Sequence, residues 1–129
     1  MKQFVALGAL WCLLGVVAGS LDAHGLSALI TKMGGANNFS LATHYMFYHG
    51  LGLIAVGLLK ERYPGTPFQF AGWLFVAGSI LFQGNLYLIS IAGIRVLQAL
   101  APVGGICLLA GWLTLVVLAA RLKSERSSQ

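Results

Sequence analysis

Thr43-His44-Tyr45-Met46-Phe47-Tyr48-His49 is the stretch that decides the fold, because it places hydroxyls, phenols and two imidazoles in an otherwise apolar segment. The apolar run continues as Gly50-Leu51-Gly52-Leu53-Ile54-Ala55-Val56-Gly57-Leu58-Leu59. Polar side chains inside a membrane span are energetically expensive, so they normally face a partner or a cavity and not lipid. The sequence therefore predicts that the other segments pack around this one and supply its partners.

The composition is typical of a helical membrane protein. Of the 129 residues, 58% are hydrophobic and only 9% are charged, whereas a soluble domain carries about 25% charged residues. Only helices and closed barrels satisfy every backbone group in lipid, and the apolar runs lack the alternating polarity of barrel strands. The sequence predicts an all-α fold with a single membrane domain over residues 1–129.

Four apolar segments predict an integral membrane four-helix bundle. The expected transmembrane ranges are residues 4–21, 41–59, 68–91 and 96–120. Each is close to the length of about 20 residues that spans a bilayer. Between the first two, apolar residues at i, i+3, i+4 and i+7 from Leu26 predict a short amphipathic helix at the membrane interface. Pro102, followed by Gly104 and Gly105, predicts a kink in the fourth helix.

The first segment has a second interpretation, a cleaved signal peptide, because Lys2, an apolar core and Ala18-Gly19-Ser20 match that pattern. A stripe of small residues favours a retained helix, because such stripes let helix backbones approach closely. The glycines predicted to pack helices together are Gly8, Gly15 and Gly19 on the first helix and Gly104 and Gly105 on the fourth.

The distribution of lysine and arginine predicts the orientation. On one side of the four-span topology lie six of these residues, Lys2, Lys60, Arg62, Arg121, Lys123 and Arg126. The other side has two, Lys32 and Arg95. The positive-inside rule then places both termini in the cytoplasm. We expect a multi-pass protein of the plasma membrane, the inner membrane of a bacterium, in contact with lipids. Nucleic acid is not an expected partner, because the basic residues are scattered at the ends of apolar runs.

Polar residues concentrate in the outer half of this predicted bundle and form one candidate site. His49 and Gln83 have the same expected depth and would hydrogen-bond directly if their faces meet. Such contacts would fix the helix register; the alternative is a ligand or ion pocket that opens outward. The candidate residues are Asp22, His24, Tyr45, Tyr48, His49, Gln83, Asn85, Tyr87 and Gln98.

The sequence predicts no metal, cofactor or catalytic group. A metal site would need Asp22, His24 and the two histidines of the second helix. His44 and His49 are five residues apart and diverge around a helix, whereas paired ligands lie three or four residues apart. A nucleophile and base with an orienting third group cannot be identified.

Four motifs occur in order along the chain: Asp22-Ala23-His24-Gly25-Leu26, Tyr45-x-x-x-His49-x-Leu51, Leu81-Phe82-Gln83-Gly84-Asn85-Leu86-Tyr87, and Ala101-Pro102-Val103-Gly104-Gly105 with Leu109-Ala110-Gly111-Trp112. Over about residues 8–123 the chain resembles the YgdD / transmembrane protein 256 family, the domain of unknown function 423. The resemblance implies a small integral membrane protein without an established activity. Asp22, Gln83 and Asn85 are bulkier and more polar than the residues usual at these motif positions, which suggests a specialised partner.

Two functions remain open at this point. The first is a non-catalytic accessory or structural component of the plasma membrane, in a larger membrane complex or by self-association. The second is a binder or transporter of a small molecule, a lipid or an ion through the polar layer in the outer half of the bundle.

Overall fold

The computed structural model describes residues 2–127, with side chains through Leu122, and every regular element in that range is helical. The elements, in order, are α1 (Lys2–His24), α2 (Ser27–Lys32), α3 (Ala36–Arg62), α4 (Gln69–Ala92), a 3-10 turn (Gln98–Leu100) and α5 (Ala101–Ser127). The predicted all-α class is confirmed. The short helix expected between the first two long helices is α2.

Consecutive long helices pack against one another: α1 on α3, α3 on α4, and α4 on α5. α3 is the central helix, because it is covered by α1 on one side and by α4 on another. α2 lies across the end of the bundle, where it contacts α1, α3 and α4. Its Ile30 side chain is fully buried there, while Leu29 stays exposed.

Two glycines end helices in the left-handed conformation, Gly34 after α2 (φ 69°) and Gly93 after α4 (φ 66°). At the second, the Ile94 N–H donates to the carbonyl of Leu88 at 3.2 Å, which satisfies a terminal carbonyl of α4. Because the chain turns here, α5 begins at Ala101 and not at the predicted residue 96.

The prediction of a kink at Pro102 is wrong. Pro102 lies in the first turn of α5, where its missing N–H has no helical partner to lose. The proline therefore begins a helix and does not bend one.

Three described segments are long and apolar enough to cross a membrane: Lys2–His24, Gln69–Ala92 and Gln98–Leu122. α3 is not among them, although its 27 residues extend about 40 Å at 1.5 Å per residue. Its polar stretch and terminal charges lower its mean hydropathy. The structure thus supports three of the four predicted spans by composition, and the span predicted in α3 stays a prediction.

One end of the bundle, where α1 and α4 begin and α3 and α5 end, has a contiguous apolar core, and we call it the closed half. Its fully buried side chains include Phe4, Leu53, Val56, Phe68 and Phe75. Phe4 reaches from α1 to α4, where its ring centroid lies 5.3 Å from that of Trp73. The other end, beneath α2, contains two side grooves, and we call it the open half.

Candidate functional site

His49 is the most constrained polar residue of the open half. Its side chain is only 3% exposed. Nδ1 lies 2.8 Å from the carbonyl oxygen of Tyr45, one turn earlier on α3, and Nε2 lies 3.1 Å from Nε1 of Trp112 on α5. An indole N–H can only donate, so Nε2 accepts and the proton resides on Nδ1. His49 is therefore held as a neutral imidazole whose two nitrogens are both engaged by the protein.

Aromatic rings surround this imidazole. Tyr45 stacks on Phe82 with ring centroids 5.0 Å apart, and Phe75 and Trp112 meet at 4.8 Å. The His49 ring lies 5.5 Å from Phe75. Together these residues pack α3 against α4 and α5.

Beside them runs the first groove, between α3 and α5, with a volume of about 560 Å³. We call it the α5 groove. Its lining includes Tyr45, Tyr48, His49, Phe82, Pro102 and Trp112. Tyr48 is 53% exposed at its rim. The groove is therefore lined by aromatic and aliphatic side chains, and its one imidazole already has its partners.

The second groove, about 410 Å³, lies between α1 and α4 over α3, and we call it the α1 groove. Its lining includes Trp11, Val17, Met46, Ser79, Gln83 and Tyr87. Gln83 is only 1% exposed. Its Nε2 donates to the Ser79 hydroxyl at 3.2 Å, while its Oε1 has no hydrogen-bond partner. Nε1 of Trp11 is likewise buried without a partner.

The expected hydrogen bond between His49 and Gln83 does not form. Phe82 and Gln83 are adjacent on α4, so their side chains point about 100° apart around the helix. Phe82 lines the α5 groove and Gln83 lines the α1 groove. The contact between α3 and α4 therefore divides the predicted polar layer into two separate environments.

Tyr87 and Asn85 are placed differently again. The Tyr87 hydroxyl lies 2.9 Å from that of Thr43, which links α4 to α3 near the end of the bundle. Asn85 is 4% exposed, and its Nδ2 donates to the carbonyl of Leu81 at 2.7 Å. The Oδ1 of Asn85 has no partner.

The remaining candidates lie at the end of the bundle and not inside it. Asp22 is partly buried, whereas His24 and Gln98 are exposed. The Nδ1 of His44 bonds the carbonyl of its own helix at Ser40, 2.8 Å away. Among the side chains that the structure describes, through Leu122, no group of three or more His, Cys, Asp or Glu residues is close enough to hold a metal ion.

The space between α1 and α3 increases along the three packing glycines of α1. A β-carbon at Gly8 would meet the carbonyl oxygen of Gly50 and lie 2.8 Å from the backbone nitrogen of Ile54. At Gly15 the nearest atom, on the Phe47 ring, is 3.2 Å away, and at Gly19 the only near atom is 3.9 Å away. This divergence opens the α1 groove.

The two glycines of α5 differ in the same way. A β-carbon at Gly104 would lie 2.6 Å from the backbone nitrogen of Phe82, whereas one at Gly105 would have 3.9 Å to the nearest atom. α4 and α5 therefore touch at Gly104, and Gly105 faces the α5 groove.

Sequence reasoning missed the two tryptophans that complete these environments. Trp112 on α5 donates its indole N–H to Nε2 of His49. Trp11 lines the α1 groove. The signal that could have found Trp112 is its indole N–H at a helix position flanked by apolar residues, because a buried indole usually has a hydrogen-bond partner.

The family is settled by comparison with known proteins. The model of the family described as Protein of unknown function (DUF423) matches residues 18–105. The chain belongs to this family. This confirms the family predicted from the motifs. The match includes the motifs around His24, His49 and Gln83.

Curated relatives of similar length agree. The chain is 38% identical to a UPF0382 membrane protein of Staphylococcus haemolyticus (strain JCSC1435) over 117 residues, 91% of this chain and 94% of the relative. It is also 38% identical to the UPF0382 membrane protein YwdK of Bacillus subtilis (strain 168) over 122 residues, 94% of this chain and 98% of the relative. No solved structure matches the chain. With its membrane-capable helices, this family member is a membrane protein.

Proposed function

We propose that this chain is a non-catalytic accessory component of the bacterial plasma membrane. The observation that carries the proposal is the engagement of His49. Its Nδ1 is bonded to Tyr45 and its Nε2 to Trp112, so neither nitrogen is free to take a proton from a substrate or to bind a metal. The residue best suited to chemistry serves instead to connect α3 with α5.

The outer helices favour a role in assembly. Within the membrane-capable windows of α1 and α5, few residues are buried by the rest of the chain. On α5, four residues at i, i+3, i+7 and i+10 form one exposed apolar face: Ile106, Leu109, Leu113 and Val116. Such faces are suited to lipid or to another membrane helix, since both present apolar surfaces. We expect a larger membrane complex or a second copy of this chain to cover one of them.

The proposed topology has four spans with both termini in the cytoplasm. α3 is the second of these spans, and its polar groups are tolerated because neighbouring helices supply their partners. Basic side chains at the closed half, such as Lys2, Lys60 and Arg62, support this orientation.

Cysteine labelling with an impermeant reagent tests the topology. The two natural thiols, Cys12 and Cys107, lie within helices α1 and α5 and are replaced by alanine in the background. Ala36→Cys, before the polar part of α3, should react from outside intact cells. Gly65→Cys, in the exposed turn after α3, should react only after lysis. The reverse pattern would overturn the orientation.

Purification from native membranes in a mild detergent tests the accessory role. We expect a complex of fixed stoichiometry. Leu13→Trp on α1 or Leu113→Trp on α5 should abolish it without changing the melting temperature, because both positions are more than half exposed. A chain that purifies alone, or a complex that neither variant affects, would contradict the proposal.

A further inference from the structure

The side-chain amide of Gln83 is the observation that points to a ligand. The residue is 1% exposed, and its Oε1 has no partner while its Nε2 is bonded to Ser79. Turning the amide over would pair Oε1 with the serine hydroxyl and leave Nε2 unpaired. One end of the amide therefore lacks a partner in either orientation. Buried polar groups are nearly always hydrogen-bonded, so this exception at the base of a groove indicates a missing partner.

The shape of the α1 groove limits what that partner can be. At the closed half, Phe4 crosses from α1 to α4 and packs over Gly72. At the other end, Leu26, the residue before α2, lines the groove. A membrane-spanning helix is about 10 Å wide and continuous, so it extends beyond a groove that ends at Leu26 and at Phe4. A narrow chain that enters sideways between α1 and α4 can lie within it.

The chemistry of the lining selects an uncharged ligand. The described residues that line the α1 groove include no Asp, Glu, Lys, Arg or His. Gln83 lies nine residues before the end of α4 at Ala92, about 14 Å deep at 1.5 Å per residue. A charged group at this depth would have no counter-ion. A hydroxyl carries no charge and can donate to Oε1 of Gln83, which has no partner within the fold.

We propose that the α1 groove binds an uncharged lipid alcohol from the membrane, with its hydroxyl on Gln83 and its chain along the apolar walls. The groove volume of about 410 Å³ falls within the range of about 300–1,000 Å³ typical of small-ligand sites. The site goes beyond the accessory role. It gives a chemical identity to the ligand binder that the sequence left as an alternative.

Binding of hexadecan-1-ol to the purified full-length chain in detergent tests the proposal, with hexadecane as the ligand that lacks the hydroxyl. Native mass spectrometry counts the adducts, and the melting temperature reports the stabilisation that a bound ligand produces. We expect one hexadecan-1-ol per chain and a concentration-dependent rise in melting temperature. Hexadecane should give neither.

Three variants locate the site. Gln83→Met removes the hydrogen bond and should weaken binding about three- to tenfold. Gly84→Leu should abolish binding, because a β-carbon there meets open space and Gly84 lines the α1 groove. Gly105→Leu is the matched control, since it places the same side chain in the α5 groove. Its affinity for hexadecan-1-ol should equal that of the parent chain.

Several outcomes would overturn the proposal. Equal binding of hexadecane would show a groove that accepts any chain, and parental affinity in Gln83→Met or Gly84→Leu would place the ligand elsewhere. A change of oligomeric state in Gly84→Leu would show that a second copy occupies the groove. If a variant fails to fold, photo-crosslinking of the parent chain with a diazirine-bearing hexadecanol tests the site instead. Labelling of peptides from α1 and α4 supports the site, and labelling confined to α5 contradicts it.

Discussion

In the closed half α1 lies so near α3 that Gly8 touches the backbone of Gly50, whereas in the open half the same helix leaves room for a side chain at Gly19. The closed half is filled by phenylalanine and aliphatic side chains. The open half also buries apolar side chains, but it contains the interhelical hydrogen bonds of His49 with Trp112 and of Thr43 with Tyr87, and the two grooves lie there. Close packing leaves no volume for a ligand. The ability to bind a ligand is therefore expected in the open half, where the helices leave grooves between them.

The largest loss of stability is expected from a substitution that disrupts the packing of the closed half. Gly8→Leu forces a side chain into the backbone of α3, and we expect a loss of about 3 kcal/mol or more in the free energy of unfolding, or failure to assemble. Gly15→Leu should lose about 1–3 kcal/mol, and Gly19→Leu about 0.5 kcal/mol or less. Denaturant titration of the three variants in detergent measures the series. Equal losses at all three positions would show that α1 does not diverge from α3.

Removing the imidazole of the open half should have the next largest effect. His49→Leu leaves the Trp112 N–H without an acceptor, at a loss of about 1–3 kcal/mol. A double-mutant cycle with Trp112→Phe should give a coupling energy of about 0.6 kcal/mol, the average for hydrogen bonds between membrane helices. His24→Gln, at an exposed position, is the control and should change stability by about 0.5 kcal/mol or less. A coupling of zero would mean that the two residues do not interact.

A smaller loss is expected at the outer edge of the open half. Tyr87→Phe removes the hydroxyl that bonds to Thr43, and we expect a loss of about 0.6 kcal/mol in unfolding free energy. The loss is small because the Thr43 hydroxyl keeps its bond to the carbonyl of Phe39, 3.0 Å away. Thr43→Val in the same background should then have little further effect on the melting temperature. A large additional loss would show that the threonine has a further role.

The smallest effect is expected at Gln83. Gln83→Met removes a buried oxygen that has no partner but also removes the hydrogen bond to Ser79, so the gain and the loss offset each other and the unfolding free energy of the ligand-free chain should change by about 0.5 kcal/mol or less. Thermal melts without added lipid measure this. A clear destabilisation would indicate that the amide has a partner within the fold, and the contrast between the paired His49 and the unpaired Gln83 would then be lost.

The sequence alone determined the class of the protein and the axial position of its polar groups. Low charge and long apolar runs require helices in lipid, and this holds however the helices pack. The rise of 1.5 Å per residue likewise places Tyr45, His49 and Gln83 toward one end of the bundle. The motifs around His24, His49 and Gln83 were enough to identify the family.

Only the tertiary structure decided which of these groups meet. Depth follows from counting residues, but the angle at which each helix faces its neighbours depends on how side chains interlock at places such as Gly8 and Gly104. That angle put Trp112 on His49 and placed Gln83 in a different groove. Small residues would allow two helix backbones to approach closely at many positions, and only the packing of the whole bundle determines at which of them the helices touch. The pairing of polar groups is thus a property of the assembled bundle and could not be predicted from any one helix.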